Sequence, residues 1–172
     1  VYLHTHTPAD LERLGRWLAE RRPVAVGEIG LDYYVQGLDR ERQQALFEAQ
    51  LELARESELP VLLHVRKSHD QVLATLKRIR VSGGISHAFN GSLQQAQQYM
   101  DLGFRLGFGG MLTYERSSRL RALAQQLPAE AIVLETDAPD MTVASHRYQR
   151  NSPAYLPEIL TTMATLRDLP EQ

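Results

Sequence analysis

The sequence predicts an α/β fold, and within that class a closed (β/α)8 barrel of the TIM type, on two observations. Short β-type runs alternate with longer helical patterns, and polar, chemistry-bearing residues recur at the carboxyl ends of those runs, the face where barrel enzymes build their sites. An open doubly wound sheet is the rival arrangement. About six βα units are legible where a barrel needs eight. The chain opens at Val1 without a methionine, so it is expected to be a fragment seen without its first strands.

The elements follow in order. "VYL" reads as the tail of a strand. In "THTPADLERLGRWLAERRP" Thr7 suits an amino-terminal cap, Pro8 the first helical position and Asp10 the capping-box acid, while Leu11, Leu14, Trp17 and Leu18 keep helical spacing. "VAVG" at 24–27 is a short run of small and β-branched residues that halts at Glu28. A strand apolar on both faces belongs inside a parallel sheet, and Glu is almost never buried unpaired, so Glu28 is expected to act at that strand's end. Residues 39–57 hold a helical pattern through Leu46, Phe47, Gln50, Leu51 and Ala54. "PVLLHV" makes the next strand, followed by a helix over about 70–78. "GGISH" is a short strand, and "SLQQAQQYMDLG" a helix stopped by Gly103. "FRLGFGG" leads to a helix near 117–127, "AIVLETDAP" is a strand ending at acids, and a last helix starts near Leu156.

Composition bounds the function. With 172 residues, 43% hydrophobic and 23% charged, the chain suits a single soluble globular domain over 1–172. A formal charge of −2 gives no global basic field, which weighs against a pure nucleic-acid-binding module and leaves a local patch or metal ions to meet phosphates. The absence of cysteine excludes disulfides and thiolate metal sites and fits the cytoplasm, the expected compartment. No apolar run reaches membrane-spanning length, so no membrane association is expected, and nothing in the sequence calls for an obligate protein partner.

The residues that end the runs form the constellation of interest: Glu28, His64, His87 and Asp137. Two imidazoles and two carboxylates at one face of a parallel barrel suit Mg²⁺, Mn²⁺ or Zn²⁺, and a carboxylate between two ions could bridge them. The bland alternative is a scatter of satisfied polar groups, since no local spacing motif ties the four together.

"VAVGEIGLDYY", "PVLLHVRKSHD", "GGISHAFNGSLQQAQQYMDLGFRLGFGG" and "IVLETDAPDM" together resemble the TatD family of metal-dependent deoxyribonucleases, TIM barrels of the amidohydrolase type. "HAFNGS" and "GGMLTY" lean toward its YjjV-like branch. The resemblance implies two divalent ions, with Glu28 bridging them, His64 and His87 ligating one, and Asp137 beside the other and the attacking water, so that Glu28 and Asp137 also serve catalysis. It implies a 3′→5′ exonuclease or phosphodiesterase acting on DNA, single strands or 3′ ends above all. The alternatives are a hydrolase of a small amide or lactone and a catalytically impaired barrel scaffold.

The family also carries an H-x-H motif on its first strand. The "HTH" of His4 and His6 does not fill that place, because only 22 residues separate His6 from Glu28 where the family has two further βα units. If that motif lies upstream, about 80 residues precede the chain, judged against the roughly 250 of a typical barrel.

Other residues carry paired readings. Arg66 either meets a substrate phosphate or pairs with a nearby acid. His69 and Asp70 are read as capping a helix. Of Glu135, Asp137 and Asp140, at least one is expected to be a structural partner. Asp32 either contacts a ligand or holds its loop, and Tyr33 and Tyr34 either stack on a base or sit at the rim. Ser92 suits a helix cap, His146 a solvated loop, and Asn151 with Pro153 an architectural turn.

Overall fold

The computed structural model describes residues 3–169. Five parallel strands alternate with helices, as the periodicity predicts. The chain forms two compact units, one of residues through Ser86 with Gln98–Phe104, the other of His87–Gln97 and the residues from Arg105 onward.

In the first unit the capping signals act as read. Helix α1, Pro8–Arg21, starts after Thr7, whose backbone N–H and hydroxyl both donate to the Asp10 carboxylate at 2.8 and 2.9 Å. Those bonds hold the Asp10 carboxyl below the ordinary aspartate value. Helix α2, Arg40–Glu56, is capped by Asp39, which accepts from the Arg42 N–H at 3.0 Å. Strands β1 (Val26–Asp32), β2 (Val61–Arg66) and β3 (Gly84–Ser86) pair in that order, with α3 (His69–Arg78) after β2. Leu31, Phe47, Leu51, Ala54, Val61, Leu63, Val72 and Leu76 form the buried core of this unit.

Three expectations are corrected here. Glu28 and His64 do not end their strands: β1 runs on to Asp32 and β2 to Arg66, with Gly30 beside His64 and Asp32 beside Arg66. The reason is a bulge. Val26 pairs with Val61 and Ile29 with Leu63, so β1 holds one residue more than β2 over that interval, and the extra residue lets a half-exposed glutamate sit mid-strand. Val24 lies outside β1 and is almost fully exposed, so the strand begins later than its apolar run. Leu3 belongs to a 3-10 turn, Leu3–Thr5, and the other two residues of the expected first strand, Val1 and Tyr2, lie outside the described residues. Beyond the bulge, Gly30 is at φ 151°, and a Cβ there would stand 1.9 Å from the His64 carbonyl oxygen. Only glycine lets the two strands close at that point.

In the second unit, β4 (Phe104–Phe108), which belongs to it from Arg105 onward, pairs in parallel with β5 (Ile132–Leu134) through Leu106, Gly107 and Phe108. Helix α5, Ser118–Gln126, follows β4, and α6, Leu156–Leu166, follows β5. Helix α4, Leu93–Asp101, has its first residues, to Gln97, in this unit and the rest in the first. It opens with Ser92 accepting from the Gln95 N–H at 3.1 Å while Gln95 accepts from the Ser92 N–H at 2.8 Å, and it closes on Gly103 at φ 83°. Leu106, Phe108, Leu112, Leu127, Val143 and Ile159 are buried.

Candidate metal centre

In an extended chain alternate residues share a face. In β2, Val61, Leu63 and Val65 are buried, while Leu62, His64 and Arg66 turn the other way. In β1, Glu28 at the bulge and Asp32 beyond it face that same side. His64 stands between the two acids, with Nδ1 3.5 Å from Glu28 Oε1 and Nε2 3.1 Å from Asp32 Oδ2. Glu28 is half-exposed, whereas Asp32 is 3% exposed.

Asp32 is over-determined. Its Oδ1 accepts from the backbone N–H groups of Tyr34 and Val35 at 2.9 and 3.2 Å, and its own backbone exchanges two hydrogen bonds with the Gln43 amide. Burial pushes this carboxyl up, but the hydrogen bond from His64, the two backbone donors and the His64 charge outweigh it and hold Asp32 below the ordinary aspartate value. An ionised Asp32 calls for a proton on Nε2, so in the neutral imidazole Nδ1, facing Glu28, is the acceptor nitrogen. A carboxylate behind the imidazole fixes tautomer and ring orientation, as behind metal-ligating histidines generally. The donor set fits a divalent ion: ligand atoms about 2.1 Å from one ion at tetrahedral angles lie roughly 3.4 Å apart, close to the spacing of Glu28 and His64. Both residues, with Asp32 and His6, line a hollow of about 190 Å³.

In the second unit His87 directly follows β3, and its Nδ1 is 3.7 Å from Glu135 Oε1. The same carboxylate oxygen accepts from the Ala88 N–H at 2.6 Å, which pins the backbone beside His87, where Ala88 has φ 45°. Glu135 reaches this place across Gly107, where a Cβ would come within 2.2 Å of its Oε2. Asp137 lies three residues beyond β5 and is half-buried. Its loop is tied down by Asn151, whose N–H donates to the Pro139 carbonyl at 2.8 Å and whose Nδ2 donates to the Asp140 carbonyl at 2.6 Å.

Glu28 and His64 are therefore brought together in the first unit. Asp32 and Glu135, left open in the sequence, hold His64 and the segment beside His87. Arg66 pairs with no acid among the described contacts; its guanidinium lies 3.8 Å from the Tyr34 ring centroid. His4 is exposed in the 3-10 turn, and His6 follows it, its carbonyl accepting from Arg42 at 2.6 Å. His69 is a buried partner of the Tyr99 hydroxyl at 3.2 Å.

The chain is similar to known proteins in both sequence and structure. Residues 1–172 match the family of TatD related DNases. A protein of Escherichia coli K12 named as the uncharacterized metal-dependent hydrolase YjjV is 43% identical over 172 residues, covering 98% of this chain and 66% of its own. A Klebsiella pneumoniae protein named 3′-5′ ssDNA/RNA exonuclease TatD is 40% identical over 168 residues, covering 94% and 64%. The crystal structure of YjjV from E. coli K12 superposes with a TM-score of 0.93 at 41% identity, covering 98% of this chain and 66% of that one. A TatD family hydrolase of Entamoeba histolytica gives 0.79 at 25%, covering 95% and 64%. The chain thus spans about two thirds of the length of these relatives, and no described helix is long and apolar enough to cross a membrane. Its fold class is the α/β barrel type of the structures it matches, and with the family matched over all 172 residues the chain belongs to the TatD-related DNases.

Proposed function

We propose that this chain is the larger part of a divalent-metal-dependent phosphodiesterase that removes nucleotides from the 3′ end of single-stranded DNA, with Glu28, His64, His87 and Asp137 as ligands of two ions. The observation that carries this reading is Glu28 and His64 at ligand spacing, with the buried Asp32 carboxylate behind the imidazole. The donor types support it, since Glu28, His64 and His87 offer one carboxylate and two imidazoles. The exonuclease name of the Klebsiella relative supports the substrate class.

When bound, the paired ions lower the pKa of water and offset the charge of the phosphodiester. The protein's own part is positional. Asp32 keeps the proton of His64 on Nε2. Glu28 would be the ligand shared by the two ions. Glu135 holds the backbone beside His87, and Asp137 would offer the carboxylate that takes a proton from the attacking water.

The test is digestion of a labelled single-stranded DNA by the full-length gene product with Mg²⁺ and with chelator, beside Glu28→Ala. Metal-dependent shortening from the 3′ end that vanishes in the variant is expected. If no shortening occurs while ions are bound, the substrate assignment is wrong. If Glu28→Ala retains two ions per chain in elemental analysis, the bridging role is wrong.

A further inference from the structure

Beside the Asp32–His64 pair, the first unit carries an exposed group that the hydrolytic chemistry does not use. Tyr34 follows β1 and is 52% exposed. Arg66, the last residue of β2, places its guanidinium 3.8 Å from the centre of that ring, and Lys67 Nζ lies 4.9 Å from it. Consecutive residues of an extended chain point to opposite sides. Here both reach one ring, and Lys67 has a left-handed backbone, φ 55°. A left-handed lysine is an uncommon conformation, and in this one the second cation stands beside the first. Tyr33 repeats the pairing with Arg40, 4.6 Å from its ring centre.

The placement is fixed from the metal side. Tyr33 N–H donates to the Arg66 carbonyl at 2.8 Å, which extends the β1–β2 ladder to the foot of the group. Asp32 binds His64 through Oδ2 and the Tyr34 N–H through Oδ1 at 2.9 Å, so one buried carboxylate sets both the imidazole and the aromatic ring.

We infer that Tyr34, Arg66 and Lys67 form a stacking platform for single-stranded nucleic acid, on which one base stacks against Tyr34 while Arg66 and Lys67 beside it each meet a phosphate. An exposed ring beside cations suits that ligand because every base offers a π face and every linkage a charge, and neither depends on sequence or sugar. As a subsite of the proposed exonuclease the platform rests on that reading, but its binding is separable from hydrolysis.

The experiment is fluorescence anisotropy of labelled oligothymidylate and oligouridylate with the full-length protein in chelator, so that no cleavage intervenes. Tyr34→Ala is expected to weaken binding of both about tenfold and Tyr34→Phe to retain it. Arg66→Gln is expected to make the slope of log affinity against log salt shallower by about 0.7, a change that a merely structural role would not produce. Tyr34→Ala binding like wild type, or wild type not binding, overturns the platform and leaves the hydrolase reading intact. Binding that follows the expected pattern in a protein that never cleaves with Mg²⁺ overturns the hydrolase reading and leaves the platform.

Discussion

Asp32 has no local pattern that announces its role. Its partners are His64 and Gln43, 32 and 11 residues away, and its 3% exposure follows from both being present at once. The sequence shows an acid in a turn-like "GLDYY" and leaves ligand and loop readings open. Glu28, by contrast, stands out in the sequence but is misplaced in the strand, because a charge ends an apolar run in the sequence even where a bulge carries the strand through it. The role of Asp32 has a direct check. Asp32→Ala is expected to lower divalent-metal affinity 10- to 100-fold, with Asp32→Asn losing less because its amide still contacts the imidazole. Titration calorimetry giving unchanged affinity for the alanine variant would remove Asp32 from the centre.

Helices were legible nearly to the residue because their signals are local. Thr7 with Asp10, Asp39, Ser92 with Gln95, and Gly103 are caps or stops whose partners lie within a turn. Strand limits were not, since a ladder is set by the neighbouring strand. Asp39→Ala is expected to destabilise the fold by about 1 kcal/mol, read as a lower denaturant midpoint at constant slope. A midpoint equal to wild type would mean that the α2 cap is replaced by solvent at no cost. Gly107→Ala tests the packing of β4 on Glu135. The added methyl collides with a carboxylate that cannot withdraw without releasing the Ala88 N–H, so a loss of roughly 1–3 kcal/mol is expected. A variant as stable as wild type would show that Glu135 moves freely and does not anchor the segment beside His87.

For the whole molecule, a formal charge of −2 means that attraction to nucleic acid cannot come from the protein's overall field. If Arg66 and Lys67 supply the phosphate contacts in chelator, the slope of log affinity against log salt is expected to be about −1.4. A slope several times steeper would place most contacts elsewhere. The alternation of strand and helix made the α/β class readable without any contact information, since it depends only on runs of residues. Which acid supports which histidine was unreadable, because those pairings join residues dozens of positions apart.

The extra residue in β1 amounts to a half-period phase slip. Val26 and Ile29 are an odd number of positions apart, yet both are buried, and from Ile29 onward the strand keeps the new phase. An unbroken pleat through the same residues would set the two halves of the strand out of step, so that Val26 in the core would require Ile29 and Leu31 in solvent, with Glu28 and Asp32 carried inward. Deleting Gly27 would leave Val26 and Ile29 two positions apart, as Val61 and Leu63 are, and so would keep all three apolar residues on one face while removing the bulge at Glu28. The extra residue therefore serves the placement of Glu28 more than the core, and its loss would be felt at the glutamate before it was felt along the rest of β1.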